Sequence, residues 1–136
     1  MLGKTIKKIL IIDDEADLVT MLRTRLEANH FKVIVAKNGR EGLLEWKKHS
    51  PDLIILDVSM PEMDGYTFIQ EFKSINGLKD VPIIVLTAKS HMKDIFKIEG
   101  VKDYIIKPFD KTELLAKINR ALDLLSSEGG KSSDEK

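Results

Sequence analysis

The chain has 136 residues, long enough for one domain with a sizeable core and too short for two ordinary ones. Its 22 basic and 22 acidic side chains cancel, and no Lys/Arg block long enough to track a phosphate backbone is present, so direct nucleic-acid binding is not expected. The absence of cysteine excludes disulfides, thiolate zinc sites and a cysteine nucleophile, and is compatible with a reducing compartment.

The N-terminal MLGKTIKK leads directly into a strand rather than a signal peptide, and no apolar stretch has the length of a membrane span. A cytoplasmic protein with no membrane contact is expected. Residues 7–13 read as a short strand whose continuous apolar run, Ile9 to Ile12, is the pattern of a strand buried on both faces of a parallel sheet, and it ends at Asp13-Asp14. From 15 to 29, Leu18, Met21, Leu22 and Leu26 recur at helical spacing and predict an amphipathic helix. The run 31–36 contains Lys32 and suits an edge strand. Asn38 reads as a helix N-cap with Glu41 completing a capping box, and Gly42, Leu43 and Trp46 mark the inner face of the helix that follows. Ser50-Pro51-Asp52 breaks that helix and leads into the strand 53–57, which ends at Asp57.

Residues 58–65 read as a loop, rigid at Pro61 and permissive at Gly65, and Phe68, Ile69, Phe72 and Ile75 continue it as a third amphipathic helix with a stop at Asn76-Gly77. Pro82 opens a buried strand ending at Thr87-Ala88. A short helical segment over 91–99, with Met92, Ile95 and Phe96 on one side, is closed by Gly100. The strand 104–106 ends at Lys107-Pro108, and Asp110 with Glu113 forms a second capping-box signature ahead of a helix carrying Leu114, Ile118, Ala121, Leu122 and Leu125. From Ser126 the sequence SSEGGKSSDEK cannot bury anything, which predicts a single domain over 1–125 and a disordered tail or linker stub over 126–136. The three histidines, His30, His49 and His91, sit in polar loop or helix-end contexts and read as surface residues.

Strand and helix alternate five times, which implies right-handed crossovers and an α/β fold: a doubly wound five-stranded parallel sheet with helices on both faces. The edge-like second strand fits the order 2-1-3-4-5, an arrangement in which ligands bind at the carboxyl ends of the strands. That edge gathers Asp13, Asp14, Asp57, Thr87 and Lys107. Three close carboxylates repel one another and raise each other's pKa unless a cation sits among them. Oxygen ligands without Cys or His favour Mg²⁺, with Mn²⁺ the alternative, and a half-filled coordination shell leaves room for a phosphoryl oxygen. Lys107 adds a positive charge and Thr87 a hydroxyl donor, so the set suits phosphoryl transfer with Asp57 itself as nucleophile.

The acidic pair in ILIIDDE, the segment LIILDVSMPEMDG, the Thr-Ala of IIVLTAKS and the Lys-Pro of DYIIKPF occur in an order that resembles the receiver (response-regulator) domain of two-component signalling, over roughly 7–125. The resemblance implies a flavodoxin-like fold and a phosphoryl group accepted on Asp57 from a sensor histidine kinase or phosphotransfer protein, or from a small acyl phosphate. It implies Mg²⁺ held by Asp14, Asp57 and the Ser59 backbone carbonyl, with Asp13 assisting through water. Lys107 would pair with the phosphoryl group, its bond to Pro108 cis. Thr87 would move toward the phosphate and Tyr104 would change rotamer, remodelling a face for protein partners. The interval from Thr87 to Gly100 is slightly shorter than is usual in that family, and Ser59 and Lys89 stand where the family tunes phosphoryl lifetime. A monomer or weak dimer acting without its own output domain is expected, because nothing foldable follows Leu125.

Two other classes compete. A dehalogenase-type aspartyl-phosphate phosphatase needs a second acid two residues beyond its nucleophile, where this chain has Ser59. A flavodoxin-like flavin carrier would find an acidic loop after the first strand that repels a flavin phosphate. A receiver that binds partners without being phosphorylated is the remaining alternative.

Overall fold

Three of the strands are dominated by β-branched and leucine side chains that bury both faces, and this dictates a sheet with helices packed above and below it. The computed structural model describes residues 5–57, 64–76, 81–88 and 101–127. In chain order these form β1 (Lys8–Ile12), α1 (Ala16–Ala28), β2 (Lys32–Ala36), α2 (Gly39–His49), β3 (Leu53–Asp57), α3 (Asp64–Asn76), β4 (Ile83–Ala88), β5 (Asp103–Lys107) and α4 (Lys111–Ser127). The five strands are parallel in the order β2-β1-β3-β4-β5, as predicted. The segment 91–99 predicted as a short helix lies outside the described residues, as does the predicted 126–136 tail from 128 onward; its first two residues, Ser126 and Ser127, instead complete α4.

Alternation along the strands divides the core into two apolar clusters. Ile9, Ile11, Ile55, Ile84, Leu86 and Ile105 point to the face covered by Leu22 and Leu26 of α1 and by Leu114, Ile118 and Leu122 of α4. Leu10, Ile12, Ile54, Leu56 and Val85 point to the opposite face, covered by α2 and α3. There Trp46 meets Phe72 edge-on with ring centroids 4.9 Å apart, and Phe68 stacks on Phe72 at 5.5 Å, so Trp46 serves the core as expected.

Two inner-face assignments fail. Met21 is 39% exposed, because the buried stripe of α1 is centred on Leu22 and Leu26 and Met21 lies about 110° round the helix from it; Val19 packs there instead. Ile75 is 48% exposed in the last turn of α3, beyond Phe72, the last residue of that helix in the core. The predicted caps are partly redrawn. The Asn38 side chain accepts from the Glu41 N–H at 2.9 Å, but the Glu41 carboxylate reaches back to the Lys37 N–H, one residue earlier than a capping box requires. The Asp110 carboxylate accepts from the Thr112 N–H at 2.9 Å, while Glu113 turns along the helix to face Lys117 at 3.8 Å.

Gly42 fixes how closely α2 approaches the sheet. A Cβ there would lie 2.5 Å from Ile12 Cδ1 and 3.2 Å from Phe68 Cε1. Glycine inside a helix costs about 1 kcal/mol relative to alanine, and close packing explains its presence. Gly42→Val is expected to lower stability by about 2–3 kcal/mol through overpacking against Ile12, read as a reduced urea midpoint with an unchanged m-value.

Candidate functional site

Sheet register assembles the site. β1 pairs with β3 so that Ile12 stands beside Leu56, which brings the next residues on each chain, Asp13 and Asp57, together. The Asp13 N–H continues the β1–β2 ladder by donating to the Ala36 carbonyl at 3.0 Å, and this holds the residue at the sheet edge. On the other side Asp57 stands beside Leu86, one residue before Thr87, and Ala88 stands beside Lys107. The edge is therefore built from four strand ends, and its inner groups are buried: Asp13 and Asp57 are each 2% exposed and Thr87 is fully buried.

Strand alternation sorts these groups by face. Asp57 and Lys107 continue the parity of Ile55 and Ile105, the α1/α4 side, whereas Thr87 continues that of Val85 and shares the α2/α3 side with Tyr104. The Lys107 ammonium lies 2.9 Å from Asp57 Oδ2. Each of Asp13, Asp14 and Asp57 offers a carboxylate oxygen within 4.8 Å of the other two, and Asp14 is exposed at the mouth. The Thr87 hydroxyl donates to the Ala88 carbonyl at 3.1 Å. The Lys107–Pro108 peptide is cis, as the resemblance implies. Ser59 and Lys89 lie outside the described residues. A cleft of about 450 Å³ lined by Asn38, Arg40, Phe68 and Glu71, among others, contains none of these groups.

Asp13 Oδ1 accepts from the Glu15 N–H at 2.9 Å, but its buried Oδ2 finds no hydrogen-bond donor among the described residues, and its neighbour there is the Asp57 carboxylate. Burial pushes the Asp13 carboxyl up to about 7, with the neighbouring Asp57 charge adding to the rise and the Glu15 N–H and Lys107 opposing it. An orphaned carboxylate oxygen in an all-oxygen cluster is what a hard divalent cation would relieve, so the residues present fit such an ion.

The raised carboxyl sets a pH dependence in chelator. Below pH 4 Asp13 is neutral folded or unfolded and costs nothing; as pH rises from about 4 to 7 the unfolded chain releases its proton more readily, so stability falls across that window. Asp13→Asn is expected to remove this decline. In thermal melts with EDTA it should exceed the wild type at pH 8 by several degrees, on the order of 2 kcal/mol, and match it near pH 4. Adding Mg²⁺ should raise the wild-type Tm more at pH 8 than at pH 5, where protons compete.

Comparison with known proteins follows the same lines. Residues 9–119 match the family model of the response regulator receiver domain. The chain is 46% identical over 118 residues to a probable transcriptional regulator, ycf27, of Pyropia yezoensis, covering 85% of this chain and 47% of that protein. It is 38% identical over 118 residues to the chemotaxis protein CheY of Bacillus subtilis, covering 85% of this chain and 97% of CheY. Among solved structures, the chemotaxis response regulator CheY4 of Vibrio cholerae superposes with a TM-score of 0.78 at 32% identity, over 87% of this chain and 100% of that one. A CheY-like receiver domain protein from Methanospirillum hungatei JF-1 superposes with a TM-score of 0.81 at 27% identity, over 91% and 99%. The chain spans about half the length of the ycf27 relatives it matches. Sheet order, strand-end chemistry and sequence agree in one assignment: this chain belongs to the response regulator receiver domain family of phosphoryl-accepting signalling switches.

Proposed function

We propose that Asp57 is the phosphoryl acceptor, receiving the group from the phosphohistidine of a sensor histidine kinase or phosphotransfer protein, or from a small acyl phosphate. The observation that carries this reading is the Lys107 ammonium 2.9 Å from the carboxylate of an Asp57 buried beside two further acids. A carboxylate oxygen of Asp57 attacks phosphorus, a P–O bond forms, and the donor's P–N bond breaks with its electron pair returning to the imidazole. Lys107 moves from its carboxylate partner to an oxygen of the incoming phosphoryl group, and Thr87 donates its hydroxyl to another. Asp14, Asp57 and the Ser59 carbonyl are the proposed ligands of Mg²⁺, for which Mn²⁺ could substitute, with Asp13 acting through water. When bound, the ion neutralises charge on the phosphoryl oxygens.

In this reading the chain catalyses only its own phosphorylation and dephosphorylation. Its product is a conformational state in which Thr87 has shifted and Tyr104 has followed, remodelling a protein-interaction face at β5 and α4. Thr87 and Tyr104 share one side of the sheet, which supports a direct steric coupling between them.

Acetyl phosphate with Mg²⁺ is expected to add one acid-stable, base-labile phosphoryl group, seen by mass spectrometry. Asp57→Asn and EDTA should each abolish it. Undiminished labelling of Asp57→Asn would sink the assignment. Lys107→Met is expected to slow labelling about 10- to 100-fold, the loss of one preorganised charge partner in a buried site.

A further inference from the structure

Helix α4 covers the α1/α4 face of the sheet, while the Tyr104 ring packs with the cluster on the other face. One side chain reaches between them. From α4, the Lys117 ammonium donates to the Tyr104 carbonyl at 2.7 Å and to Asp103 Oδ1 at 3.2 Å, and lies over the Tyr104 ring, 5.3 Å from its centroid. Glu113, one turn earlier, stands 3.8 Å away. The Tyr104 N–H donates to the same Asp103 oxygen at 2.8 Å, so side chains take both main-chain groups of this edge-strand residue. The lysine is only 22% exposed, so its contacts are partly shielded from water.

We propose that Lys117 is a positioning residue of the switch, which holds the Tyr104 ring in its present rotamer by a combined carbonyl and cation–π clamp across the β5 edge. The inference rests on the reading of Tyr104 as the element that follows phosphorylation. A ring under a fixed ammonium leaves that place only by losing the contact, and the carbonyl bond keeps the ammonium fixed while the ring moves. The clamp therefore biases the unphosphorylated state, and its strength sets part of the energy that phosphorylation must overcome.

The test uses the full chain with ¹³C-labelled tyrosine, Tyr104 being assigned by its loss in Tyr104→Phe. Its χ1 populations are read from three-bond couplings in metal-free, unphosphorylated wild type, Lys117→Gln and Lys117→Arg. Wild type and Lys117→Arg are expected to hold one dominant rotamer and Lys117→Gln a mixture. Labelling by acetyl phosphate and Mg²⁺ should be about two- to five-fold faster in Lys117→Gln, the change expected for one partly exposed cation–π contact, and near wild type in Lys117→Arg. Unchanged Tyr104 populations in Lys117→Gln would overturn the proposal, as would shifted populations with an unchanged labelling rate. Lys117→Met replaces Lys117→Gln should the latter fail to fold. The couplings are read without any phosphoryl donor, so failure of Asp57 to take up phosphate would defeat the proposed function and leave the clamp separately measurable.

Discussion

Two carboxylates buried side by side at the end of an apolar sheet are the constraint on which the structure turns. The register of β1 on β3 makes Asp13 and Asp57 neighbours, and the hydrophobic runs that carry them hold both carboxylates almost wholly buried. Among the described residues, Lys107 is the cation that pairs with Asp57. Asp13 bears the remaining cost, with one oxygen orphaned and its proton held up to about pH 7. Among the described residues the strand ends thus hold more negative than positive charge, and such a place favours a ligand that brings charge balance with it. A divalent ion together with a transferable phosphoryl group has the right hardness, and the exposed Asp14 gives it a way in.

The scaffold makes that shortage tolerable. Among the described residues, α1 and α4 pack on one face of the sheet and α2 and α3 on the other, with Gly42 letting α2 lie close against Ile12. Apolar burial over two clusters supplies the stability that the acidic edge subtracts, and so the site need not be stable in its own right. Ile12 and Leu56, the last core residues before the acids, are fully buried, so the carboxylates Asp13 and Asp57 are positioned by packed strands rather than by loops.

Much of this was legible in the residues. Continuous apolar runs announce buried parallel strands, and because each run ended in a charged or hydroxyl-bearing residue, the topology alone was enough to collect Asp13, Asp57, Thr87 and Lys107 at one edge. Helix faces were read less well, since spacing gives a stripe but not its centre or its end: Met21 falls beside the stripe and Ile75 beyond it. Charge partners were harder still. Nothing in the pattern around Lys117 distinguishes a solvated lysine at four residues from Glu113 from one that crosses a strand edge, because its partners Asp103 and Tyr104 lie on another element. The protonation of Asp13 was equally hidden, being set by desolvation that only packing reveals.

The alternation that separates the two apolar clusters also gives the molecule a sidedness. The ionic partners Asp57 and Lys107 share the parity of one face and the pair Thr87 and Tyr104 that of the other, so the sheet acts as a bulkhead with the chemistry along its rim. The proposed response passes along one side of the sheet, from Thr87 to Tyr104, and the stem of Lys117 reaches from α4 round the β5 edge to meet that ring.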